Sequence, residues 1–201
     1  MATQILSSSQ GRNRLFLVVL IGLFVLPLAV AWLLVGQWRP ATTSNHGELL
    51  NPAQPIAHFH AQGFDGQIFD VRFLQKRWTL AYLGSGPCDE HCERSLYNMR
   101  QVRLALGKDI NRVQTLYLMH ETPTAERLEW LQREHSAMTA GIADAATIDF
   151  FRRAFPNASS GRHWVFLSDP FGNLVMRYSV DENPKGILED LKRLLKFSKI
   201  G

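Results

Sequence analysis

An uncharged, strongly apolar run near the N-terminus limits the folds open to this chain. Residues Leu15 to Val35 contain no Asp, Glu, Lys or Arg over 21 positions. At about 1.5 Å per helical residue, such a run crosses a hydrocarbon layer of about 30 Å. Pro27 inside the run is compatible with a membrane helix, which accepts proline more readily than a soluble helix does. The sequence therefore predicts a single transmembrane anchor over residues 15–36.

The charges that flank the run predict its orientation. Arg12 and Arg14 precede it in a short tail, residues 1–14, whereas only Arg39 lies close behind it. The positive-inside rule then puts the N-terminus in the cytoplasm, as in a single-pass protein of the inner (cytoplasmic) membrane with a periplasmic C-terminal domain. A cleaved signal sequence is the competing interpretation, because Ala29-Val-Ala31 resembles a signal-peptidase site. The apolar run continues past that tripeptide, which favours the anchor.

The chain after the anchor has the length of one domain. Residues 37–57 are rich in Pro, Asn, Thr and Ser and have no hydrophobic period, so they are predicted to form a linker. Residues 58–201 remain, and their length of roughly 140 residues is a common size for a domain with its own core. The net charge is +4, but Lys and Arg are spread over every segment, so no nucleic-acid partner is predicted.

Strand-like and helix-like patterns alternate along residues 58–201. Asp65-Gly66 predicts a hairpin turn, and the apolar runs at 78–83 and 113–119 predict buried strands. The predicted first and last helices have apolar residues three or four positions apart, at Leu96, Met99, Val102 and Leu106 and at Ile187, Leu188, Leu191, Leu194 and Leu195. The order predicts an α/β domain of the thioredoxin-like class.

Cys88 and Cys92 are the only cysteines in the chain, and they follow the strand that ends at Leu83 and a Gly-Ser-Gly-Pro turn. Thioredoxin-type folds keep their chemistry at such a strand–turn–helix junction. If both residues lie in the first helical turn, their sulfurs share one face and their Cα atoms are about 6 Å apart. A metal clip, a redox pair and a structural disulfide all fit that geometry. The Gly-rich, acidic turn predicts sulfurs that solvent can reach.

The neighbours of the two cysteines favour a metal-bound pair over a free nucleophile. Negative charge opposes thiolate formation, and three carboxylates flank the pair, those of Asp89, Glu90 and Glu93. His91 lies between the cysteines, but a helical rotation of about 100° turns it away from Cys92, so a solvated side chain is predicted. His120, at the end of a predicted strand, is a further candidate ligand.

The order of hairpin, strand, Gly-rich turn, Cys-x-x-x-Cys, helix, strand, Thr122-Pro123, helix and a hairpin with Asp169-Pro-x-Gly172 resembles the Sco/SenC family of membrane-anchored, thioredoxin-fold proteins. The resemblance implies copper delivery to, or thiol maintenance of, the dinuclear copper site of cytochrome c oxidase. The implied partner is the oxidase subunit with that site, or another copper or thiol carrier, and the implied role is that of a metallochaperone more than an enzyme. It also implies Cys88, Cys92 and His163 as metal ligands. Two thiolates and an imidazole suit Cu(I), whereas zinc normally takes a fourth ligand.

Two other functions stay open on the sequence. The family has proline after each cysteine, whereas this chain has Asp89 and Glu93 there. A membrane-tethered assembly scaffold that keeps the fold without the metal would account for that difference. An extracytoplasmic thiol-disulfide oxidoreductase, with Cys88 and Cys92 as its catalytic pair, is the other, because a lone cysteine pair in an oxidising compartment forms a disulfide.

Overall fold

The structure, a computed structural model, describes four stretches of the chain, residues 7–34, 45–155, 163–181 and 183–198. The chain divides into two compact units, Met1–Ser44 and Asn45–Gly201. Three parts of the predicted N-terminal organisation lie outside the described residues: positions 1–6 of the tail, 35–36 of the anchor and 37–44 of the linker.

The first unit contains one long helix, α1 (Ser7–Leu34), with Pro27 inside it. Its stretch Gly11–Leu34 is 24 residues long and is long and apolar enough to cross a membrane, a criterion that an N-terminal signal sequence also meets. At 1.5 Å per residue this stretch is about 36 Å long. The predicted N-terminal apolar helix is therefore confirmed, and it begins at Ser7 rather than at Leu15.

The second unit alternates strands and helices in a single mixed sheet. Its strands are β1 (Glu48–Pro55), β2 (Ala61–Gly63), β3 (Ile68–Phe69), β4 (Trp78–Gly84), β5 (Val113–Met119), β6 (Thr139–Ala143), β7 (Trp164–Ser168) and β8 (Asn173–Ser179). Its α-helices are α2 (Val71–Leu74), α3 (Glu90–Ala105), α4 (Ala125–Glu134), α5 (Ala145–Arg153) and α6 (Pro184–Phe197), and a 3-10 helix spans Gly107–Arg112. The strand order is β1-β8-β7-β4-β5-β6-β2-β3. Strands β4, β5 and β6 are parallel and the other pairs are antiparallel, which confirms the predicted α/β class.

The central strand β5 shows how the sheet separates two hydrophobic clusters. Every residue of β5 is buried, as a continuous aliphatic run predicts for a strand covered on both faces. Its side chains alternate, so Tyr117 and Met119 join the cluster that includes residues of α3 and α6. Leu116 and Leu118 join the opposite cluster, which includes residues of α5 such as Phe151. The cysteines belong to the first cluster.

The predicted linker, residues 37–57, is wrong over its second half. Glu48–Pro55 forms β1, which pairs with β8 at the edge of the sheet, so the compact unit begins at Asn45 rather than at residue 58. The Pro-rich composition that indicated a linker is compatible with an edge strand, because proline cannot donate to an inner neighbour but is tolerated at an edge. The register between β1 and β8 shifts between Leu49 and Gln54, an irregularity that also fits proline.

A buried arginine on β8 fastens the edge strand β1 to the sheet. The Arg177 guanidinium contacts Glu48 Oε2 through Nε at 2.7 Å and Nη2 at 2.6 Å. Its carbon lies 4.0 Å from the ring centre of Trp164 and 4.5 Å from that of Phe155. The Arg177 side chain is only 2% exposed, so it combines an ion pair with two cation–π contacts in the interior.

Candidate functional site

The cysteine pair lies where the chain passes from β4 into α3. Helix α3 begins at Glu90, and its N-cap is Asp89, whose Oδ1 accepts a hydrogen bond from the backbone nitrogen of Cys92 at 2.9 Å. Cys88 precedes the cap with φ of 51°, a left-handed conformation that is uncommon for residues other than glycine. The assumption that both cysteines lie in the first helical turn is therefore wrong. Only Cys92 lies on α3, and Cys88 is held in the turn before it.

The two cysteines form a disulfide, with their Cα atoms 5.1 Å apart. Cys88 is only 3% exposed and Cys92 only 2%, so the prediction of solvent-reachable sulfurs is wrong. The turn between β4 and Cys88 folds against the loop after β5: a Cβ atom at Gly86 would lie 2.7 Å from the carbonyl oxygen of Thr122. Because this position has no room for a side chain, the turn packs closely on that loop, and the disulfide becomes part of the core.

Two tyrosines on adjacent strands line the site. Tyr82 of β4 and Tyr117 of β5 are register partners, with ring centres 5.8 Å apart, and both belong to the cluster that contains the cysteines. Tyr117 donates a hydrogen bond to the carbonyl of Ser85 at 2.5 Å, and its oxygen lies 3.3 Å from Cys92 Sγ. Burial raises the pKa of Tyr117, and the neighbouring Tyr82 adds to the rise. Burial also raises the pKa of Tyr82, with Asp89 adding to it, so both hydroxyls stay protonated at neutral pH.

His163 lies beside this pair, next to the start of β7. Its Nδ1 is 2.7 Å from Tyr82 Oη, within hydrogen-bond distance, and its Nε2 is 3.9 Å from Asp89 Oδ2. Its ring stacks on that of His91, with 5.1 Å between ring centres and 6° between planes. The structure therefore brings His163 to the same end of the sheet as the cysteines, through Tyr82. His91 is exposed, which agrees with the prediction of a solvated side chain, and its ring also contacts that of His163.

His120 directly follows β5, and its ring contacts a backbone carbonyl group and a carboxylate. Its Nδ1 lies 3.0 Å from the carbonyl oxygen of Gly84, and its Nε2 lies 3.6 Å from Glu121. Two of the three carboxylates near the cysteines have arginine partners, in the pairs Glu93–Arg127 at 2.6 Å and Glu90–Arg94 at 2.9 Å. These ion pairs reduce the negative charge that the sequence alone indicates around the disulfide.

In the described part of the chain, no group of three or more His, Cys, Asp or Glu side chains is arranged to hold a metal ion. The bond between the two sulfurs accounts for this at the cysteine site, because only a thiolate binds a metal and neither sulfur is free in the disulfide. Reduction would return two thiols at the end of the sheet where His163 lies.

Reduction of the disulfide is expected to lower the stability of the second unit measurably. A disulfide that closes a loop of about five residues contributes about 2 kcal/mol by the chain-entropy relation. The expected fall in melting temperature on adding dithiothreitol is about 4–8 °C for a protein of this length. Calorimetry of the full-length protein in detergent measures it. The Cys88→Ser/Cys92→Ser double variant is the control and should melt at one temperature with and without reductant. Equal melting temperatures for oxidised and reduced wild type would contradict the expectation.

Sequence reasoning missed Tyr82 and Tyr117 as parts of the site. Each stands in an apolar run that predicts a buried strand, and a buried tyrosine needs a partner for its hydroxyl. Both tyrosines stand at the same distance from the start of two predicted strands, and this is the signal that could have identified them as neighbours. Tyr82 follows Trp78 by four residues, as Tyr117 follows Val113, and these two starting residues are paired in the sheet.

Comparison with known structures identifies the fold. Apo Sco1 from Thermus thermophilus is 18% identical, with a TM-score of 0.60, and the match covers 77% of this chain and 99% of that one. Copper-bound ScoI from Bradyrhizobium japonicum is 21% identical, with a TM-score of 0.52, and the match covers 68% of this chain and 97% of that one. BsSco, described as a Sco-family cytochrome c oxidase assembly protein with a disulfide switch, is 15% identical, with a TM-score of 0.56, 73% of this chain and 96% of that one.

A comparison with curated protein sequences found no match. The family described as "Transmembrane-like, thioredoxin-like, C-terminal domain" matches residues 78–198, which is more than half of the chain and extends from the first residue of β4 through α6. The matched segment contains both cysteines, both tyrosines and His163. The chain therefore belongs to the family of transmembrane-like proteins with a thioredoxin-like C-terminal domain, and its fold is the one found in Sco proteins.

Proposed function

We propose that this chain is a membrane-anchored, Sco-type assembly factor that serves the dinuclear copper site of cytochrome c oxidase. In this proposal Cys88 and Cys92 alternate between a disulfide and a dithiol, and the dithiol takes up Cu(I) with His163 as third ligand. The observation that carries the proposal is the Cys88–Cys92 disulfide after β4, at the same end of the sheet as His163, whose Nε2 lies 3.9 Å from Oδ2 of Asp89, the residue that follows Cys88. Copper is the cargo of this reaction and not a permanent part of the protein.

The thiol chemistry follows from the pairing of the two cysteines. In the dithiol state, one cysteine thiolate attacks a sulfur of an oxidised partner and forms a mixed disulfide, and the partner's other sulfur leaves and takes up a proton. The second cysteine then attacks the mixed disulfide, closes the Cys88–Cys92 bond and releases the partner's second thiol. The partner gains two electrons and two protons, which this chain loses. The reverse sequence, with an external dithiol, restores the reduced pair.

The copper chemistry follows from the residues around the pair. Two thiolates and one imidazole match the softness of Cu(I), whereas a structural zinc site normally takes four protein ligands. The hydrogen bond between Tyr82 Oη and His163 Nδ1 leaves Nε2 as the nitrogen that can bind metal. Two similar structures support the two halves of the proposal: ScoI from Bradyrhizobium japonicum has copper bound, and BsSco has a disulfide switch.

The proposed location is the inner membrane, with the N-terminus in the cytoplasm and the second unit in the periplasm. Helix α1 supports a single span by its length, and Arg12 and Arg14 support the orientation. An oxidising compartment on that side accounts for the disulfide as a resting state. The proposed partner is the oxidase subunit with the dinuclear copper site, or a carrier of copper or thiols that acts before it.

Titration of the reduced full-length protein with Cu(I), in detergent and without oxygen, tests the proposal. The expected result is uptake of about one equivalent per chain, and none by the oxidised protein, because only thiolates bind the metal. His163→Ala is expected to weaken Cu(I) binding by tenfold or more, since it removes a ligand and even outer partners of ligands are worth about 10–100-fold.

The matched control for the histidine is His60→Ala, an exposed residue of the same type whose backbone, not its ring, bonds to Thr147. It should bind Cu(I) as tightly as wild type. Unchanged affinity in His163→Ala would remove that residue from the ligand set, and the same titration of His120→Ala and His91→Ala would then find the third ligand. No uptake by the reduced wild type would leave a metal-free scaffold or a pure thiol oxidoreductase.

A further inference from the structure

The hydroxyl of Tyr117 contacts both the disulfide and the turn between β4 and Cys88. Its single proton is donated to the carbonyl of Ser85 at 2.5 Å, and its oxygen lies 3.3 Å from Cys92 Sγ. The lone pairs of that oxygen therefore face the sulfur. Tyr117 is completely buried and Cys92 is 2% exposed, so no water competes for this contact.

The contact between Cys92 Sγ and Tyr117 Oη can be a hydrogen bond in only one of the two redox states. A disulfide sulfur has no hydrogen, so in the oxidised protein the contact between Cys92 Sγ and Tyr117 Oη contains no donor. A reduced Cys92 thiol has one S–H group, which can donate to the free lone pair of Tyr117 while Tyr117 still donates to Ser85. Reduction therefore completes a chain of two hydrogen bonds, from Cys92 through Tyr117 to Ser85, in a site from which water is excluded.

We propose that Tyr117 is a positioning residue that favours the reduced form of the cysteine pair and links it to the turn between β4 and Cys88. The inference rests on the proposed dithiol–disulfide cycle and adds to it a residue that shifts the equilibrium between the two forms. In the step concerned, an external dithiol supplies two electrons and two protons, its own sulfurs become a disulfide, and the Cys88–Cys92 bond breaks. One of the two protons ends on Cys92 Sγ and is shared with Tyr117 Oη.

Tyr117→Phe tests this assignment, because it removes the hydroxyl and keeps the ring in the core. The oxidised and reduced full-length proteins are equilibrated in a series of dithiothreitol redox buffers, and the fraction reduced is measured by thiol labelling after unfolding. The variant is expected to have an equilibrium constant for reduction about fivefold lower than wild type, the effect of one modest hydrogen bond. For a two-electron couple this is a potential about 20 mV more negative.

The matched control is Tyr178→Phe. Tyr178 is buried in the same hydrophobic cluster, but its hydroxyl contacts Asp190 Oδ2 at 3.4 Å and the thioether sulfur of Met176 at 3.6 Å, and neither group changes with the redox state of the cysteines. This variant loses a buried hydroxyl as Tyr117→Phe does, and it should leave the equilibrium constant within about twofold of wild type. A loss of the Ser85 hydrogen bond alone affects both redox states, so a structural role of Tyr117 would lower stability without moving the potential.

An unchanged or less negative potential in Tyr117→Phe overturns the assignment, whatever the copper titration gives. A second measurement keeps Tyr117 unaltered, so it tests the assignment even if Tyr117→Phe does not fold. In Cys88→Ser, Cys92 is the one remaining thiol, and its infrared S–H stretching band should lie at lower frequency than that of an unbonded thiol. A band at the unbonded frequency would also overturn the assignment. Failure of Cu(I) uptake, by contrast, concerns the proposed function and leaves both of these results standing.

Discussion

Replacing Cys92 with serine is expected to abolish tight Cu(I) binding by the reduced full-length protein. The variant keeps one thiolate and one imidazole, and a serine hydroxyl is a hard, neutral donor that does not replace a thiolate for Cu(I). The loss should exceed the roughly 10–100-fold effect typical of residues that only support a ligand. Competition with a coloured Cu(I) chelator measures the affinity, and Cys88→Ser should give the same result.

The reduced wild type is the reference for both cysteine variants, because it also lacks the disulfide and differs from each variant by one sulfur atom. Each variant should melt close to the reduced wild type, which separates a lost ligand from a lost fold. Leu104→Ala is a further control on the same helix, since its side chain is 55% exposed and lies at the other end of α3. It should keep Cu(I) affinity. Wild-type affinity in both cysteine variants would remove the copper half of the proposed function.

Arg177→Ala is expected to cause the largest loss of stability of any single change considered. Its side chain is 2% exposed and lies between Trp164 and Phe155 with Glu48 at its end, so truncation leaves a cavity between two aromatic rings and releases the edge strand β1. By comparison with large-to-small substitutions in protein interiors, the free energy of unfolding should fall by about 3 kcal/mol. Glu48 is 47% exposed and becomes hydrated when its partner is lost, so it adds little.

Urea unfolding of the full-length protein in detergent, followed by tryptophan fluorescence, measures that loss. Arg72→Ala is the matched control, because Arg72 is 89% exposed and its carboxylate partner Asp70 is 3.9 Å away. Its effect should stay within about 0.5 kcal/mol of zero. Arg177→Lys should fall between the two, since lysine keeps the charge but not the planar group that stacks on the rings. A loss below about 1 kcal/mol in Arg177→Ala would show that β1 does not depend on this contact.

The elements that the sequence predicts well are those whose own residues determine them. The apolar runs of β4 and β5 are long enough to indicate buried strands, and the spacing of Leu96, Met99 and Val102 follows the inner face of α3. Strand β1 has no such pattern, because Arg177, a residue more than a hundred positions away, holds Glu48 in place. Strand β6 (Thr139–Ala143) is also missed, since a short run of small residues becomes a strand only by pairing with β5 and β2.

The pairing of the two cysteines could be predicted from the sequence, whereas the two tyrosines beside them and the burial of the pair could not. The spacing of Cys88 and Cys92 indicates that they lie together, and the structure joins them. Their burial depends on contact between two loops, the turn at Gly86 and the backbone at Thr122, and no local pattern encodes that contact. The contact between the rings of His91 and His163 joins two distant parts of the chain, so no local pattern encodes it either. The start of α3 does have a local signal, because Asp89 is a typical N-cap residue.

The burial of the disulfide determines which reductants can act on it. Thiol exchange needs the incoming sulfur to approach along the axis of the bond, and Cys88 and Cys92 are only 3% and 2% exposed. Exchange must therefore wait for a local opening of the fold around the pair, so its rate reflects how often that opening occurs more than how abundant a small thiol is. A docked protein that stabilises the open state is not limited in this way, so burial favours electron exchange with a docked partner over exchange with small thiols in solution.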